Sequence, residues 1–233
     1  MRDLAGILSS YTSDFHGVVP FDPAHDKLIS MDFTEANQLL TGEIINDIVL
    51  FSNYIDAALA DAGARYGIGG YGEHRTVYSR SRVFDAKEGD EPRRLHLGLD
   101  IWGNAGTPVY APLDAIIHSY AFNDHYGDYG ATIILEHSLN GHQFFSLYGH
   151  LSTANLNVHE GQRINKGKLF AHFGEPAENG HWPPHLHFQI IENIGNAKGD
   201  YPGVCRFSER SLYLANCPDP DLVANLVRFV VST

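Results

Sequence analysis

The pattern of apolar and polar positions changes near residue 76. Before that point the clearest pattern is helical: apolar residues recur at helical spacing over residues 43–62, and Gly63 can end the helix. Residues 1 to about 40 mix short apolar runs with turn signals, which predicts loops and a short strand or helix. The glycine cluster at 67–72 does not open a helix after a strand. It therefore predicts a turn-rich bridge.

Beyond residue 76 the pattern becomes a series of short β runs separated by turns. The predicted strands are 76–84, 109–110, 115–122, 132–137, 143–148, 168–173 and 187–192. Asn140-Gly141 lies between two of them and predicts a hairpin. The spacing is typical of a mainly β (α+β) fold, an antiparallel β sandwich or partly open barrel with a helical N-terminal extension.

The same change of pattern suggests three parts of the chain. These are an N-terminal extension (1–75) with one main helix, a core (76–200) and a C-terminal extension (201–233). The stretch from 222 to 231 fits either a helix or a strand.

Charge and cysteine content narrow the class of protein. A formal net charge of −12 supplies no basic stripe, so we expect no nucleic-acid partner. No apolar stretch is long enough for membrane insertion, and the start lacks a signal sequence. This predicts a cytoplasmic location, or an extracytoplasmic one if a leader has been removed. Cys205 and Cys217 do not form a C-x-x-C pair, which favours reduced thiols and leaves a single bridge open.

Candidate chemistry comes from histidines and one aspartate in three short contexts. His185 and His187 are two residues apart in a β run, so both imidazoles share one face, with Cα atoms roughly 6.6 Å apart. On a straight strand the Cα atoms of His96 and Asp100 would be roughly 13 Å apart. Gly98 between them leaves space and permits a bend that draws them together.

Each context has an ordinary structural alternative when it is considered alone. Two histidines on a polar face, a strand end before a turn, and the lone His150 after an aromatic strand are all common in proteins without a metal. Together they supply His and Asp ligands for one zinc ion and two further histidines for acid–base chemistry. A catalytic zinc site usually has three protein ligands and an open position.

Three motifs in this order resemble the M23 (LytM/lysostaphin-type) family of zinc metallopeptidases. They are H-x-G-x-D at 96–100, Y-G-H-L-S at 148–152 and P-H-L-H-F at 184–188. Supporting segments at 106–111, 160–164 and 166–167 also match, and the resemblance covers roughly residues 90 to 192. A fainter resemblance, carried by 69–75 and 216–220, is to M23-like domains fused to class III aminotransferases in cytosolic multidomain proteins.

The M23 resemblance implies a function and a role for each residue. It implies His96, Asp100 and His187 as ligands of one Zn²⁺ per chain, with His150 and His185 as the catalytic pair beside the metal-bound water, the nucleophile. It also implies a central antiparallel sheet and a groove for an extended peptide. The implied substrate is a glycine- or D-amino-acid-containing peptide, cell-wall derived, of the peptidoglycan type.

General chemistry gives the catalytic pair definite tasks. His185 can take the proton of the attacking water and pass it to the leaving amine. His150 can hydrogen-bond the developing oxyanion or orient the water.

Two departures from the family pattern leave alternatives open. His181 and Trp182 are bulky where the family usually carries small residues, which predicts a reshaped or narrowed groove. Gln189 replaces a commonly acidic residue and could alter the surroundings of the metal. The alternatives are a cytosolic zinc hydrolase of another small peptide or amide, and a non-catalytic M23-like binding or scaffold module.

Overall fold

A computed structural model describes residues 3–85 and 90–231, which fold into a mainly β protein with short helices. The helices are α1 (Leu4–Ser10), α2 (Gly42–Asn46), α3 (Ile48–Ala62), α4 (Arg210–Asn216) and α5 (Asp221–Ala224). The strands are β1 (Leu28–Met31), β2 (Tyr66–Gly69), β3 (Leu95–His96), β4 (Leu99–Trp102), β5 (Pro108–Tyr110), β6 (Ala115–Asn123), β7 (Gly130–Leu139), β8 (His142–Leu151), β9 (Arg163–Ile164), β10 (Leu169–His172), β11 (His185–Ile191), β12 (Val204–Cys205) and β13 (Val230–Val231).

Nine of these strands form one mixed sheet in the order β13-β1-β2-β4-β11-β8-β7-β6-β9. The middle of the sheet is antiparallel, whereas β1 runs parallel to both of its neighbours, β13 and β2. Over the described residues the sheet stays open and does not close into a barrel. Two small sheets, β10-β5 and β12-β3, lie outside it. The predicted mainly β class is confirmed.

The predicted hairpin at Asn140-Gly141 is confirmed. Leu139 pairs with His142, so the loop between β7 and β8 consists of Asn140 and Gly141 alone. Both have a positive φ, 51° at Asn140 and 80° at Gly141. That pair of left-handed residues is the turn whose twist matches the twist of antiparallel strands.

The predicted helix over 43–62 is two helices, because the chain breaks at Asp47. Asp47 has an extended backbone, and its side chain accepts hydrogen bonds from the N–H groups of Val49 and Leu50. An aspartate that caps the next helix in this way competes with continuation of the previous one. The predicted end at Gly63 is confirmed, since Gly63 is left-handed with φ 59°.

Two local predictions from the pattern are wrong. The glycine cluster predicted as a bridge contains β2, where a Cβ on Gly67 would lie 2.5 Å from Met31 Cγ. The glycines there allow close packing between neighbouring strands. The run at 76–84, predicted as a strand, forms two 3-10 helical turns, Val77–Arg80 and Arg82–Phe84. The undecided stretch 222–231 contains both a helix end and a strand.

Buried apolar residues of the described chain form three clusters. One of them, which we call the second hydrophobic cluster, is built largely from the N-terminal extension and includes Phe33, Phe51, Tyr78, Trp102 and Trp182. Trp102 belongs to β4, so this cluster packs against the strand that carries Asp100.

The N-terminal extension is therefore joined to the core through the sheet, because strand β2 pairs with β4. The division of the chain into domains at 1–75, 76–200 and 201–233 stays a prediction. Cys205 and Cys217 are buried free thiols. Within residues 3–85 and 90–231, no helix has the length and apolar character needed to cross a bilayer.

Candidate active site

Strand register places two of the predicted site residues directly opposite each other. His187 on β11 pairs with Asp100 on β4, so their side chains leave the same face of the sheet. The chain bends at Gly98, as predicted, and brings His96 from β3 to the same point. A Cβ on Gly98 would lie 2.4 Å from His187 Cε1, so only glycine leaves room for the ring of His187.

The donor atoms of these three residues converge. His96 Nε2 lies 3.0 Å from His187 Nδ1, and Asp100 Oδ1 lies 3.2 Å from each of those nitrogens. All three residues are buried, at 0, 3 and 3% exposure for His96, Asp100 and His187. Among the described residues they are the group of His, Cys, Asp or Glu side chains close enough to hold one metal ion.

Neighbouring groups determine which ring nitrogens carry protons. His96 Nδ1 lies 2.9 Å from the carbonyl of Gly70, which can only accept, so this nitrogen donates. Gln189 Nε2 donates to the carbonyl of Pro202 at 3.1 Å, which turns Gln189 Oε1 towards His187 Nε2 at 2.9 Å. His187 Nε2 therefore donates as well. The lone pairs of His96 Nε2 and His187 Nδ1 both face the carboxylate of Asp100.

A cation can satisfy all three of these acceptor atoms at once, since no proton lies between them. Ligands about 2.0–2.2 Å from a tetrahedral zinc ion are roughly 3.3–3.6 Å from one another, slightly more than the observed 3.0 and 3.2 Å. The donor set, two imidazoles and one carboxylate, is also one that zinc prefers. His96, Asp100 and His187 therefore fit a zinc ion.

Arg75 holds Asp100, one of the candidate ligands, in place. Its Nη1 donates to Asp100 Oδ2 at 2.5 Å and its Nε to Glu73 at 2.6 Å, and the side chain is 1% exposed. Burial raises the pKa of Asp100, but His96 and Arg75 outweigh it and hold that pKa well below its usual value. Gly69 on β2 makes room, since a Cβ there would lie 2.7 Å from Arg75 Nη2.

His185 lies two residues from His187 and on the same face. Its ring stacks on Trp102, with ring centroids 3.8 Å apart and planes inclined by 13°. Its Nδ1 donates to the carbonyl of Pro183 at 2.8 Å, which leaves Nε2 as a free lone pair. The ring centroid of His150 lies 4.1 Å from that of His185.

His150 is positioned by an irregularity in strand β8. The register between β7 and β8 shifts between Ala131 and Ile133, and His150 takes a left-handed φ of 61°. A bulge of this kind re-aims a side chain, and a left-handed histidine is uncommon. His150 Nδ1 donates to the carbonyl of Asn179 at 2.7 Å, so its Nε2 is also a free lone pair.

His96, His150 and His185 are neutral near pH 7. Burial lowers the pKa of His185 to about 4 and, with Arg75 nearby, that of His96 to about 4. Burial and the adjacent His185 lower the pKa of His150 well below its usual value. Neutral His185 and His150 can each accept a proton at Nε2. His150 can donate a hydrogen bond from Nε2 only when its ring is protonated, because in the neutral ring the proton is on Nδ1.

A cavity of about 260 Å³ adjoins the candidate metal-ligand cluster of His96, Asp100 and His187. Asp100, His150, His185 and His187 line it and His96 lies behind them, so the structure brings all five predicted residues to one place. Sequence reasoning assigned no role to Arg75 and only a general one to Gln189. The position of Gln189 two residues after His187 places both side chains on one face of the strand, and this is the sequence signal for its contact with the ligand. No sequence signal indicates that Arg75 contacts Asp100.

Comparison with known proteins identifies a family for the segment that contains these residues. The sequence profile of peptidase family M23 matches residues 94–198, which contain all five residues. The chain carries a domain of peptidase family M23. The predicted family membership is confirmed, and the departures at 178–184 and at Gln189 lie inside this M23 domain.

Relatives of the M23 domain include two endopeptidases. The chain is 26% identical over 147 residues to an L-Ala–D-Glu endopeptidase of Bacillus subtilis, covering 58% of this chain and 43% of that protein. It is 33% identical over 100 residues to the DD-carboxypeptidase/endopeptidase Mpg of Neisseria meningitidis, covering 43% of this chain and 21% of that protein. The chain thus spans less than half the length of these relatives.

Among solved structures, the chain is similar to the catalytic domain of lysostaphin from Staphylococcus simulans. Identity is 21%, the TM-score is 0.40, and the match covers 70% of this chain and 96% of that domain.

Proposed function

We propose that this protein is a zinc-dependent metallopeptidase that hydrolyses peptide bonds in peptidoglycan-type peptides containing glycine or D-amino acids. The observation that carries the proposal is the convergence of three proton-free acceptors beside two neutral histidines whose Nε2 lone pairs are free. The activities for which the relatives in Bacillus subtilis and Neisseria meningitidis are named support the substrate class.

In this proposal His96 Nε2, Asp100 Oδ1 and His187 Nδ1 hold the metal. When bound, zinc polarises the scissile carbonyl and supplies hydroxide near neutral pH. Gly70 and Gln189 keep the two ligand imidazoles in the required tautomers, the usual task of groups behind a metal ligand. Arg75 holds Asp100 through its second oxygen, so that Oδ1 remains directed at the metal.

His185 is the proposed proton carrier. Its Nε2 takes the proton of the water whose oxygen attacks the carbonyl carbon, and then gives that proton to the nitrogen as the C–N bond breaks. The stack on Trp102 and the bond to Pro183 fix the ring, so no rotation is needed between the two transfers.

His150 orients the attacking water in its neutral form. Because its Nδ1 is committed to Asn179, the neutral ring offers an acceptor at Nε2 and not a donor. The contact with His185 also makes simultaneous protonation of both rings unfavourable. Of the two tasks considered for His150, orientation of water is therefore the better supported.

The experiment is release of fragments from purified peptidoglycan and from glycine-containing and L-Ala–D-Glu-containing peptides, read by mass spectrometry. We expect zinc-dependent cleavage of at least one of these substrates, lost on chelation and in His185→Ala, and kept in His159→Ala, an exposed histidine outside the site. Binding of one zinc per chain with no cleavage of any substrate would instead favour a non-catalytic module.

A further inference from the structure

Much of the cavity beside the metal ligands is formed by residues outside the M23 segment. Its 20 lining residues include six from the N-terminal side of residue 94 and five from the C-terminal side of residue 198. These are Arg75, Val77, Tyr78, Val83, Phe84 and Arg93, followed by Asp200, Tyr201, Pro202, Gly203 and Val204. The parts of the chain that the family profile does not cover therefore shape the space available to a substrate.

One wall is a segment that we call the strap, residues 77–84, made of the two 3-10 helical turns. Arg80 fastens it to the opposite side of the cavity. Its Nη2 donates to Tyr126 Oη at 2.8 Å and to the carbonyl of His181 at 3.0 Å, and its guanidinium lies 4.6 Å from the ring centroid of Trp182. The bulky residues at 181 and 182, noted as departures from the family pattern, are thus where the strap is attached.

A second contact fixes the strap to the loop before β7. Ser81 Oγ donates to the carbonyl of Tyr126 at 2.5 Å, and a Cβ on Gly127 would lie 2.3 Å from Ser81 Cβ. The strap also contributes Val77 and Phe84, at 2 and 8% exposure, to the second hydrophobic cluster. Because its apolar side chains are part of a core, the strap is a fixed wall and not a lid.

The other wall, residues 200–204, is equally fixed. Strand β12 within it pairs with β3, and the N–H of Leu97 donates to the carbonyl of Gly203 at 2.8 Å. Gly203 lies against the site itself, since a Cβ there would be 3.1 Å from His187 Cε1. This wall therefore cannot withdraw without moving the strand that carries His96.

The space between these walls is small. At about 260 Å³ the cavity lies just below the roughly 300–1,000 Å³ of small-molecule pockets. The five site residues are at most 6% exposed. An extended chain advances about 3.3 Å per residue and needs an entrance and an exit past the metal. Apart from Asp100 and Arg75, the charged residues that line the cavity are Arg93, Asp128 and Asp200. They provide both positive and negative charge, which suits the two charged ends of a short free peptide.

We propose that the strap and the 200–204 wall close the groove, so that the site accepts short peptides or a free chain end and excludes the interior of a long or cross-linked chain. This inference rests on the proposed peptidase function. It makes Arg80 a positioning residue for the specificity of the site.

The test compares matched peptides that differ in length alone. Triglycine and the dipeptide L-Ala–D-Glu are each also synthesised with several further residues at both ends. The two tryptophans of the chain, Trp102 and Trp182, both line the cavity, so their fluorescence reports binding without any turnover. In zinc-free protein we expect a saturable change with the short peptides and none with the extended ones. Equal responses to both would overturn the inference.

Cleavage by the zinc-loaded protein separates this inference from the proposed function. Cleavage of short peptides but not of extended peptides or intact peptidoglycan supports the inference. Cleavage of intact peptidoglycan at the rate of the free peptide overturns the inference and leaves the peptidase function standing. Cleavage of none of them by protein with a full equivalent of zinc overturns the proposed function itself.

The strap can then be loosened by a single substitution. In Arg80→Ala we expect cleavage of the extended peptides to rise by roughly tenfold relative to the short ones. Arg82→Ala, an exposed arginine on the same strap, should leave the ratio unchanged. A ratio that is the same in folded Arg80→Ala as in Arg82→Ala would contradict the role of the strap. Should Arg80→Ala not fold, the fluorescence comparison in the unsubstituted protein still decides.

Discussion

Among the described residues, four buried histidines lie at the candidate active site and one, His137, lies apart from it, and the two places differ in what the histidine nitrogens contact. His137, on β7, is 2% exposed, and burial lowers its pKa to about 4, as it does for His96 and His185. Its Nε2 lies 2.6 Å from Ser146 Oγ and its Nδ1 lies 3.2 Å from the carbonyl of Asp114. Both nitrogens of His137 are therefore satisfied by the protein itself.

The comparison shows that burial and a lowered pKa do not by themselves identify a reactive histidine. His137 beside Ser146 resembles a base beside a nucleophile, but Ser146 is fully buried and its Oγ also lies 3.0 Å from the hydroxyl of Tyr148. At the metal-ligand cluster the protein instead directs three acceptors at one point. A buried site is recognised by polar atoms that only an added ion can satisfy.

The largest effect is expected at the shared ligand. Asp100→Asn should weaken zinc binding by more than the roughly 10–100-fold typical of changes behind the ligands, and reduce peptide cleavage to background. The amide removes the negative charge and leaves Arg75 without its partner at 2.5 Å. Competition with a zinc chelator measures the affinity. Asp56→Asn, on the exposed side of α3, is the matched control, and equal affinity in the two variants would refute the assignment.

His185→Gln should separate chemistry from metal binding. We expect kcat to fall by about 10²–10⁴ while zinc affinity stays within a few-fold, because His185 lies beside the ligands and is not one of them. Steady-state kinetics and chelator competition on the same preparation give both quantities. A loss of zinc affinity equal to that of Asp100→Asn would make His185 a ligand instead.

His137 should control stability and not activity. The pKa of His137 is lowered in the folded protein, so its contribution to the free energy of unfolding is present above about pH 6.5 and is lost as pH falls towards 4. A shift from 6.5 to about 4 corresponds to roughly 3 kcal/mol. In His137→Phe, whose ring can keep the stack on Phe144, we expect a flatter pH dependence across this range.

Denaturant unfolding of zinc-free protein at a series of pH values measures this difference. Cleavage at pH 7 should be unchanged in His137→Phe, since Ser146 keeps Tyr148 as a partner. Parallel stability curves for the two proteins would show that His137 is protonated in the folded state as readily as in the unfolded chain.

The smallest effect is expected at the bend between two ligands. Gly98→Ala places a methyl group 2.6 Å from His187 Nε2, so the ring must shift and zinc affinity should fall by roughly 10–100-fold. Gly42→Ala is the matched control, because a Cβ there meets nothing within 4 Å. Chelator competition on both variants measures the effect, and unchanged affinity in Gly98→Ala would show that the ring has room to move.

That the three candidate ligands lie close together could be predicted from the sequence, because much of the information is local. His96, Gly98 and Asp100 lie within one short motif, and the spacing of His185 and His187 places both rings on one face of a strand. The hairpin at Asn140-Gly141 is similarly encoded by two adjacent residues. Their assigned roles in binding and catalysis stay predictions that the variants above test.

What the sequence does not predict depends on contacts between distant segments. Arg75 meets Asp100 because β2 pairs with β4, and β2 is hidden by glycines that are ordinarily turn signals. The strap has the apolar spacing of a strand, but Arg80 and Ser81 find partners on another loop and the segment coils instead. Such tertiary contacts override local propensity.

The pairing of β2 with β4 has a consequence for engineering. A fragment cut to the M23 segment, residues 94–198, would leave β4 as an open sheet edge with unpaired N–H and C=O groups. Such an edge is a template for association with other chains, and it belongs to the strand that carries Asp100. A chimera that borrows this catalytic unit must therefore carry its N-terminal strands with it, because the unit is not a detachable module.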